Sequence, residues 1–207
     1  DSGGTWSAAC VDPTIGAGGS TSIAVDGSNV HIAYYNAAAT RLCYARSADG
    51  GANWTITSPV DATASRGTFA SLITDYDGSN NNVVISYCDS STPQLMFAKS
   101  ADNGATWPAG SIKVAASGSG QYTSIASDSS YNLYITHFNS GLYIAKSTDS
   151  GSTWANPVTG SLPIDATATS GQYTSMATLS DGTIVVVYYD TTGKLKFASS
   201  SNGGADW

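Results

Sequence analysis

The sequence contains no glutamate, and only 11% of its 207 residues are charged. That absence removes the Glu–Lys pairs that support exposed helices. Other helix formers are also scarce, whereas Ser, Thr, Gly, Asn, Tyr and Val abound, so the composition reads all-β. Basic residues are few: 8 Lys and Arg stand against 15 acidic side chains, for a net charge of −7. Nucleic acid and anionic membrane surfaces are excluded as partners on that balance. The longest apolar run, Ile184 to Tyr189, is far too short to span a bilayer. Three cysteines, Cys10, Cys43 and Cys88, are too few and too odd in number for a disulfide scaffold. Two readings of them stand: one bridge, with Cys43–Cys88 favoured because both fall on strands of neighbouring repeats, or three buried free thiols. Glycine-rich phosphate loops, nucleophile elbows and metal-ligand spacings are missing, so no cofactor or metal is expected. No secretory leader is present. The polar, lysine-poor, Ser/Thr-rich character points to an extracellular or cell-surface protein.

What the chain has instead is repetition. Ser47 to Trp54 reads SADGGANW, and the pattern returns as SADNGATW to Trp107, STDSGSTW to Trp154 and SSNGGADW to Trp207. The sequence opens on the rear half of a further copy, Asp1-Ser2-Gly3-Gly4-Thr5-Trp6, which implies that something precedes it. All five tryptophans close such octets, at spacings of 48, 53, 47 and 53 residues, the mark of a repeat architecture. Short polar side chains at the first and third positions (Asp49, Asp102, Asp149, with Asn202 in the last copy) can accept backbone N–H bonds in a tight turn. Gly51, Gly104, Gly151 and Gly204 allow positive φ. Each tryptophan then supplies a ring large enough to pin its turn to the body.

Three strands precede each octet. The nearest has period-two alternation, with Leu42, Leu95, Leu142 and Leu195 in one column and Tyr44, Phe97, Ile144 and Phe197 in the next. A second runs over Asn29–Asn36, Asn82–Asp89, Asn132–Asn139 and Thr183–Asp190. The third shares a Gly-x-x-x-Ser opening at Gly18, Gly67, Gly120 and Gly171. Pro-bearing segments after each tryptophan (56–60, 112–115, 157–160) fit outer edge strands. The expected fold is a β-propeller of four-stranded antiparallel blades, four of them visible, with the octet joining third and fourth strands. The blades fall at about 7–54, 55–107, 108–154 and 155–207, one propeller or propeller segment over 1–207.

The octet, S/T-x-D-x-G-x-x-W, resembles the Asp-box, or BNR repeat, of sialidase-like β-propellers, and the likeness extends along the whole chain. The resemblance implies a structural, peripheral role for the box, on the side away from the ligand-binding face. It also implies an arginine triad and a tyrosine–glutamate pair in the enzymes. Without glutamate, and with Arg41 and Arg46 on opposite faces of one third strand, sialidase chemistry is not expected here.

The ends leave alternatives open. Residues 1–12 supply an outer strand, Ser7 to Val11, while the last repeat stops at its tryptophan. Either that strand closes a four-bladed ring, or the chain is an excerpt of a longer propeller, or the strand pairs with a neighbouring copy to build an oligomer or fibre.

Candidate ligand groups cluster on the funnel face. Asp89 and Asp190 end two second strands, with Asn36 and Asn139 in the same column. An aspartate pair suits a glycosidase, although capping of the following turn explains Asp or Asn in every blade more simply. Arg66 enters the same face, and Phe69, Tyr122 and Tyr173 open successive first strands, where they either stack on sugars or pack between blades. Calcium on Asp75, Asp77 or Asp128 meets the objection that each sits at a strand turn, where Asp is common. The favoured function is a non-catalytic surface binding or structural propeller, self-assembling through its terminal strands and taking a glycan or surface protein as partner. The alternative is carbohydrate binding or hydrolysis on the funnel face.

Overall fold

The computed structural model describes residues 7–108, 112–114, 120–155 and 163–207. No helix occurs among them; the β-branched and aromatic residues form fourteen strands in four antiparallel sheets. The first blade comprises β1 (Gly19–Asp26), β2 (Asn29–Asn36), β3 (Arg41–Ser47) and β4 (Thr55–Thr57), paired in that order. In the second, β5 (Arg66–Tyr76), β6 (Asn81–Asp89), β7 (Gln94–Ser100) and β8 (Ile112–Lys113) follow the same order. The third holds β9 (Gln121–Ser127), β10 (Leu133–Phe138) and β11 (Leu142–Ser147), and the fourth β12 (Ser170–Thr178), β13 (Ile184–Asp190) and β14 (Lys194–Ser200). The outer strand expected at 157–160 lies outside the described residues.

First strands β1, β5, β9 and β12 pack on one another in succession, so they line the inside and the sheets radiate outward as blades. The all-β propeller expected from the repeat is therefore the observed architecture, except that the ring is open. No strand of the fourth blade packs against the first as successive blades do, among the described residues.

Each joint between blades repeats one chemistry. Leu42, Leu95 and Leu142 are fully buried. They lie against the glycine that opens the next first strand: a Cβ on Gly67 would come within 2.7 Å of Leu42, and one on Gly171 within 2.8 Å of Leu142. The serine of the Gly-x-x-x-Ser opening then accepts a backbone N–H from the following blade, Leu72 to Ser22 at 2.9 Å, Ile125 to Ser71 at 3.2 Å and Met176 to Ser124 at 3.0 Å. Thr123 and Thr174 donate in return to the carbonyls of Phe69 and Tyr122, both at 2.6 Å.

The octets build the expected turns. In the first, the Gly51 N–H donates to Ser47 Oγ at 2.8 Å, Ser47 Oγ donates to Asp49 Oδ1 at 2.8 Å, and Asn53 N–H donates to that same oxygen at 2.8 Å. Asp102 and Asp149 repeat these bonds, and Asn202 keeps them without the charge. Hydrogen bonds from the residue four on, first among causes, hold Asp49 and Asp149 down to about 2. The tryptophans reach across the joints: Trp107 meets Tyr44 edge-on at 4.9 Å, and Trp154 meets Phe97 at 5.0 Å. Such pairs contribute roughly 0.5–1.5 kcal/mol beyond their burial. Trp207 packs against the cluster that holds Ile144 and Ile184, and Trp54 against that of Tyr34, Cys43 and Ala45. Asp1, Gly3 and Trp6 lie outside the described residues.

Two expectations change. Ser7 to Val11 forms no strand. Val11 instead packs against the buried cluster of Tyr34, Cys43 and Ala45. The Cys43–Cys88 bridge does not form; all three thiols are free, with Cys43 and Cys88 buried and Cys10 exposed. Burial holds the Cys88 thiol up at about 11, inert as a nucleophile.

Candidate functional site

Opposite the octets, the starts of the first strands and the ends of the second strands share one face. Each first strand carries a β-bulge there, with register slips at Gly19/Ser22, Thr68/Ser71 and Gln172/Ser175. The bulge puts Phe69, Tyr122 and Tyr173 at φ of 55°, 53° and 50°. Left-handed backbone at a bulky residue costs roughly 1–3 kcal/mol and clusters at functional sites. The three rings form a ladder, with centroids 4.7 Å apart from Phe69 to Tyr122 and 4.6 Å from Tyr122 to Tyr173. Phe138 and Tyr189 flank it at 6.2 Å each. The sequence left sugar stacking and interblade packing open for these rings. The structure gives them mutual packing while Tyr173 stays 68% exposed. Ser20 holds the same place in the first blade at φ 48°, its Oγ accepting the Phe69 N–H at 3.0 Å.

Beside the ladder stand two half-buried ion clusters. In the second blade, Arg66 bridges Asp89 (Nε to Oδ2, 2.8 Å) and Asp61 (3.2 Å), and the Tyr87 hydroxyl donates to Asp61 at 2.8 Å. In the fourth, Lys196 bridges Asp165 at 2.9 Å and Asp190 at 3.2 Å, and the Tyr188 hydroxyl donates to Asp165 at 3.0 Å. The spare oxygens cap turns: Asp89 Oδ1 accepts from Ser91 N–H at 3.0 Å, and Asp190 Oδ1 from Thr192 N–H at 2.8 Å. Burial opposes the charge on Asp89, but the bonds from Ser91 and Arg66 outweigh it and hold its carboxyl below the usual range. The Thr192 N–H, the largest influence, lowers Asp190 in the same direction. Asn36 Oδ1 caps its own turn, accepting from Ala39 N–H at 2.9 Å, while Asn139 stands at the corresponding strand end of the third blade.

Asp61, Asp165 and Lys196 were not singled out from the sequence. Their signal is a further repeat, Val11-Asp12-Pro13-Thr14, Val60-Asp61-Ala62-Thr63 and Ile164-Asp165-Ala166-Thr167. Each of these aspartates takes the hydroxyl of a second-strand tyrosine, Tyr34 reaching Asp12 at 2.6 Å. The third blade breaks the pattern with Ala115 in place of the aspartate and His137 in place of the tyrosine. His137 is fully buried with neither ring nitrogen bonded, and burial pushes it down to about 4. For a metal, no group of three or more His, Cys or Asp side chains among the described residues is suitably placed. Asp77 and Asp128 spend their oxygens on Ser79, Asn80, Ser130 and Asn132.

No family model matches the chain, and no curated protein matches it. Solved structures do. A Hadza microbial sialidase superposes with a TM-score of 0.60 at 18% identity, covering 93% of this chain and 45% of that one. The intramolecular trans-sialidase from Ruminococcus gnavus gives 0.60 at 14% identity, over 90% of this chain and 68% of its own. The catalytic domain of an α-L-arabinofuranosidase from Coprinopsis cinerea gives 0.59 at 12%, over 89% and 63%. The chain thus spans under half of the first and about two thirds of the others. At these identities the likeness is one of fold: the chain has the β-propeller fold that these proteins share.

Proposed function

We propose that the chain is a carbohydrate-binding propeller of extracellular or surface type, holding saccharides over the Phe69–Tyr122–Tyr173 ladder without cleaving them. The observation that carries this is the ladder itself: Phe69, Tyr122 and Tyr173 lie ring beside ring at 4.7 and 4.6 Å, and Tyr173 at its end stays 68% exposed. The exposed Tyr173 ring, continued by the half-buried Tyr122 and Phe69, suits the apolar face of a pyranose ring, and the flanking Asp and Asn turns offer polar edges. The octets are read as Asp-boxes that fasten this face from the far side.

Binding is favoured over hydrolysis by the state of the carboxylates. A glycosidase needs one carboxyl held protonated near neutral pH. Asp89 and Asp190 are both held ionised, each against a cation and a capping N–H. The neighbours named above are sialidases and an arabinofuranosidase, so a sugar ligand agrees with the company this fold keeps. The test is a glycan array followed by calorimetry on the best ligand. Tyr173→Ala and Tyr122→Ala should weaken binding at least tenfold, about 1.4 kcal/mol, while Asp190→Asn leaves affinity within a few fold. An array with no glycan bound would sink the proposal, and turnover of the bound glycan would move it to the hydrolytic reading.

A further inference from the structure

The two ion clusters beside the ladder have one composition, a pair of carboxylates about a single cation. Both approach the rings along the strands that carry them. Arg66 opens β5, where Phe69 follows in the same strand. Lys196 donates to Ser170 Oγ at 2.9 Å, and Ser170 opens β12, which carries Tyr173. Each cluster is thus within about 10 Å of strand from a ring of the ladder, at ~3.3 Å per residue. A saccharide lying over the rings sits in the field of both.

Each carboxylate oxygen in these clusters already has a partner. In the second blade, Asp61 Oδ1 accepts the Thr63 N–H at 2.9 Å and Asp89 Oδ1 that of Ser91 at 3.0 Å, while Oδ2 of each meets Arg66. In the fourth, Asp165 Oδ1 accepts the Thr167 N–H at 2.9 Å and Asp190 Oδ1 that of Thr192 at 2.8 Å, while Oδ2 of each meets Lys196. One positive charge stands against two negative ones in both blades, so each cluster keeps an excess of negative charge. The other blades add no cation at this level among the described residues. Asn36 caps its own turn, Asp12 takes the Tyr34 hydroxyl, and Asn139 occupies the third-blade position. Arg41 and Lys194 open third strands, two strands outward from the first strands and about 10 Å away at ~4.8 Å per strand.

We infer that the ladder face selects uncharged saccharides and turns away acidic ones, an inference that rests on the saccharide-binding reading above. An acidic sugar stacked on Tyr173 brings its carboxylate toward two clusters that already carry excess negative charge. Neither Arg66 nor Lys196 can pair with it without giving up an aspartate of its own, which would leave that aspartate half-buried and unmatched. An uncharged sugar stacks on the ring and disturbs neither cluster. Asp61, Asp89, Asp165 and Asp190 are therefore specificity-determining residues. They act by occupying the two cations and by repelling a like charge, which is how a site discriminates against a ligand of the same shape.

Calorimetry with oligosaccharides matched in all but the C6 group tests this, glucose- and galactose-terminated forms against the glucuronate- and galacturonate-terminated forms of the same linkage. The acidic form should bind at least tenfold more weakly at low salt, and the gap should shrink as salt rises and screens the repulsion. Asp165→Asn combined with Asp190→Asn strips Lys196 of both carboxylates, and the ratio of acidic to neutral affinity should then rise at least tenfold. Asparagine keeps the oxygen that accepts the turn N–H, as Asn202 does in its octet. Asp61→Asn combined with Asp89→Asn repeats the experiment on Arg66 and stands in if the fourth-blade variant fails to fold. Acidic forms bound as tightly as neutral ones, with Tyr173→Ala weakening both, would overturn this inference and leave the saccharide reading standing. So would an affinity ratio that neither double variant moves. A chain that binds neither form overturns the saccharide reading, and this inference with it.

Discussion

His137 shows how one substitution within a repeat creates a titrating defect. Its counterparts Tyr34, Tyr87 and Tyr188 each reach an aspartate, but at that place in the sequence repeat the third blade carries alanine, Ala115. The imidazole is left buried and unbonded, with its pKa lowered from 6.5 to about 4 by burial. Between those two values the unfolded chain binds a proton that the folded chain refuses, so stability falls as the pH drops through the window. The loss should reach about 3 kcal/mol at most, at roughly 1.4 kcal/mol per pH unit. His137→Phe fills the same space against Tyr143 and should flatten most of the slope, leaving a smaller contribution from His31, which burial and then Arg46 also lower. Urea unfolding of both proteins at pH 7 and at pH 4.5 checks this; equal pH dependence would remove His137 as the cause. The sequence showed His137 standing in a tyrosine column. It did not show that the tyrosines are there to hold an aspartate, because that contact spans more than twenty residues.

At the scale of the element, the octet turn is both local fastener and interblade contact. Its hydrogen bonds close within eight residues, which is why the pattern was legible in the sequence. Its glycine does two jobs that the sequence could not separate. Gly51 (φ +96°) meets only the ring of its own Trp54, at 3.6 Å. Gly104 (φ +78°) lies under Tyr44 of the preceding blade, so an added Cβ would run into the Tyr44 ring and hydroxyl. Tyr44 cannot readily give way, since its hydroxyl is bonded to His31 Nδ1 at 2.6 Å. Both Gly→Ala changes carry the left-handed strain of roughly 1–2 kcal/mol. Gly104→Ala adds overpacking of about 1–3 kcal/mol and should melt about 3–8 °C below Gly51→Ala. Thermal melts of the pair decide it, and equal melting would mean that the joint at Tyr44 is soft. Within the same joint, Thr123→Val strands the Phe69 carbonyl and Ser86 Oγ and should cost about 1–3 kcal/mol in chemical unfolding.

Across the whole molecule, stability should follow the number of joints that each blade makes. In repeat architectures the total is close to a sum of unit terms and nearest-neighbour terms. The second and third blades have a neighbour on both sides, whereas the fourth has the third alone. Amides of β13 and β14 should therefore exchange faster than those of β6 and β7, by tenfold or more in a dilute monomeric sample. Uniform protection across these strands would show that the ring unfolds as one unit.

The sequence by itself determined the all-β class, the four repeats, the columns of the third strand and the octet turns. These depend on periodicity and on hydrogen bonds between near neighbours, both written along the chain. Only the tertiary structure decided that Ser7 to Val11 forms no strand, that the thiols stay unpaired, and that Arg66 and Lys196 each clasp two aspartates. It alone showed that, among the described residues, the fourth blade does not pack on the first as successive blades do. Those outcomes turn on which distant surfaces meet, and a leucine column reads the same whether its last member is covered or bare.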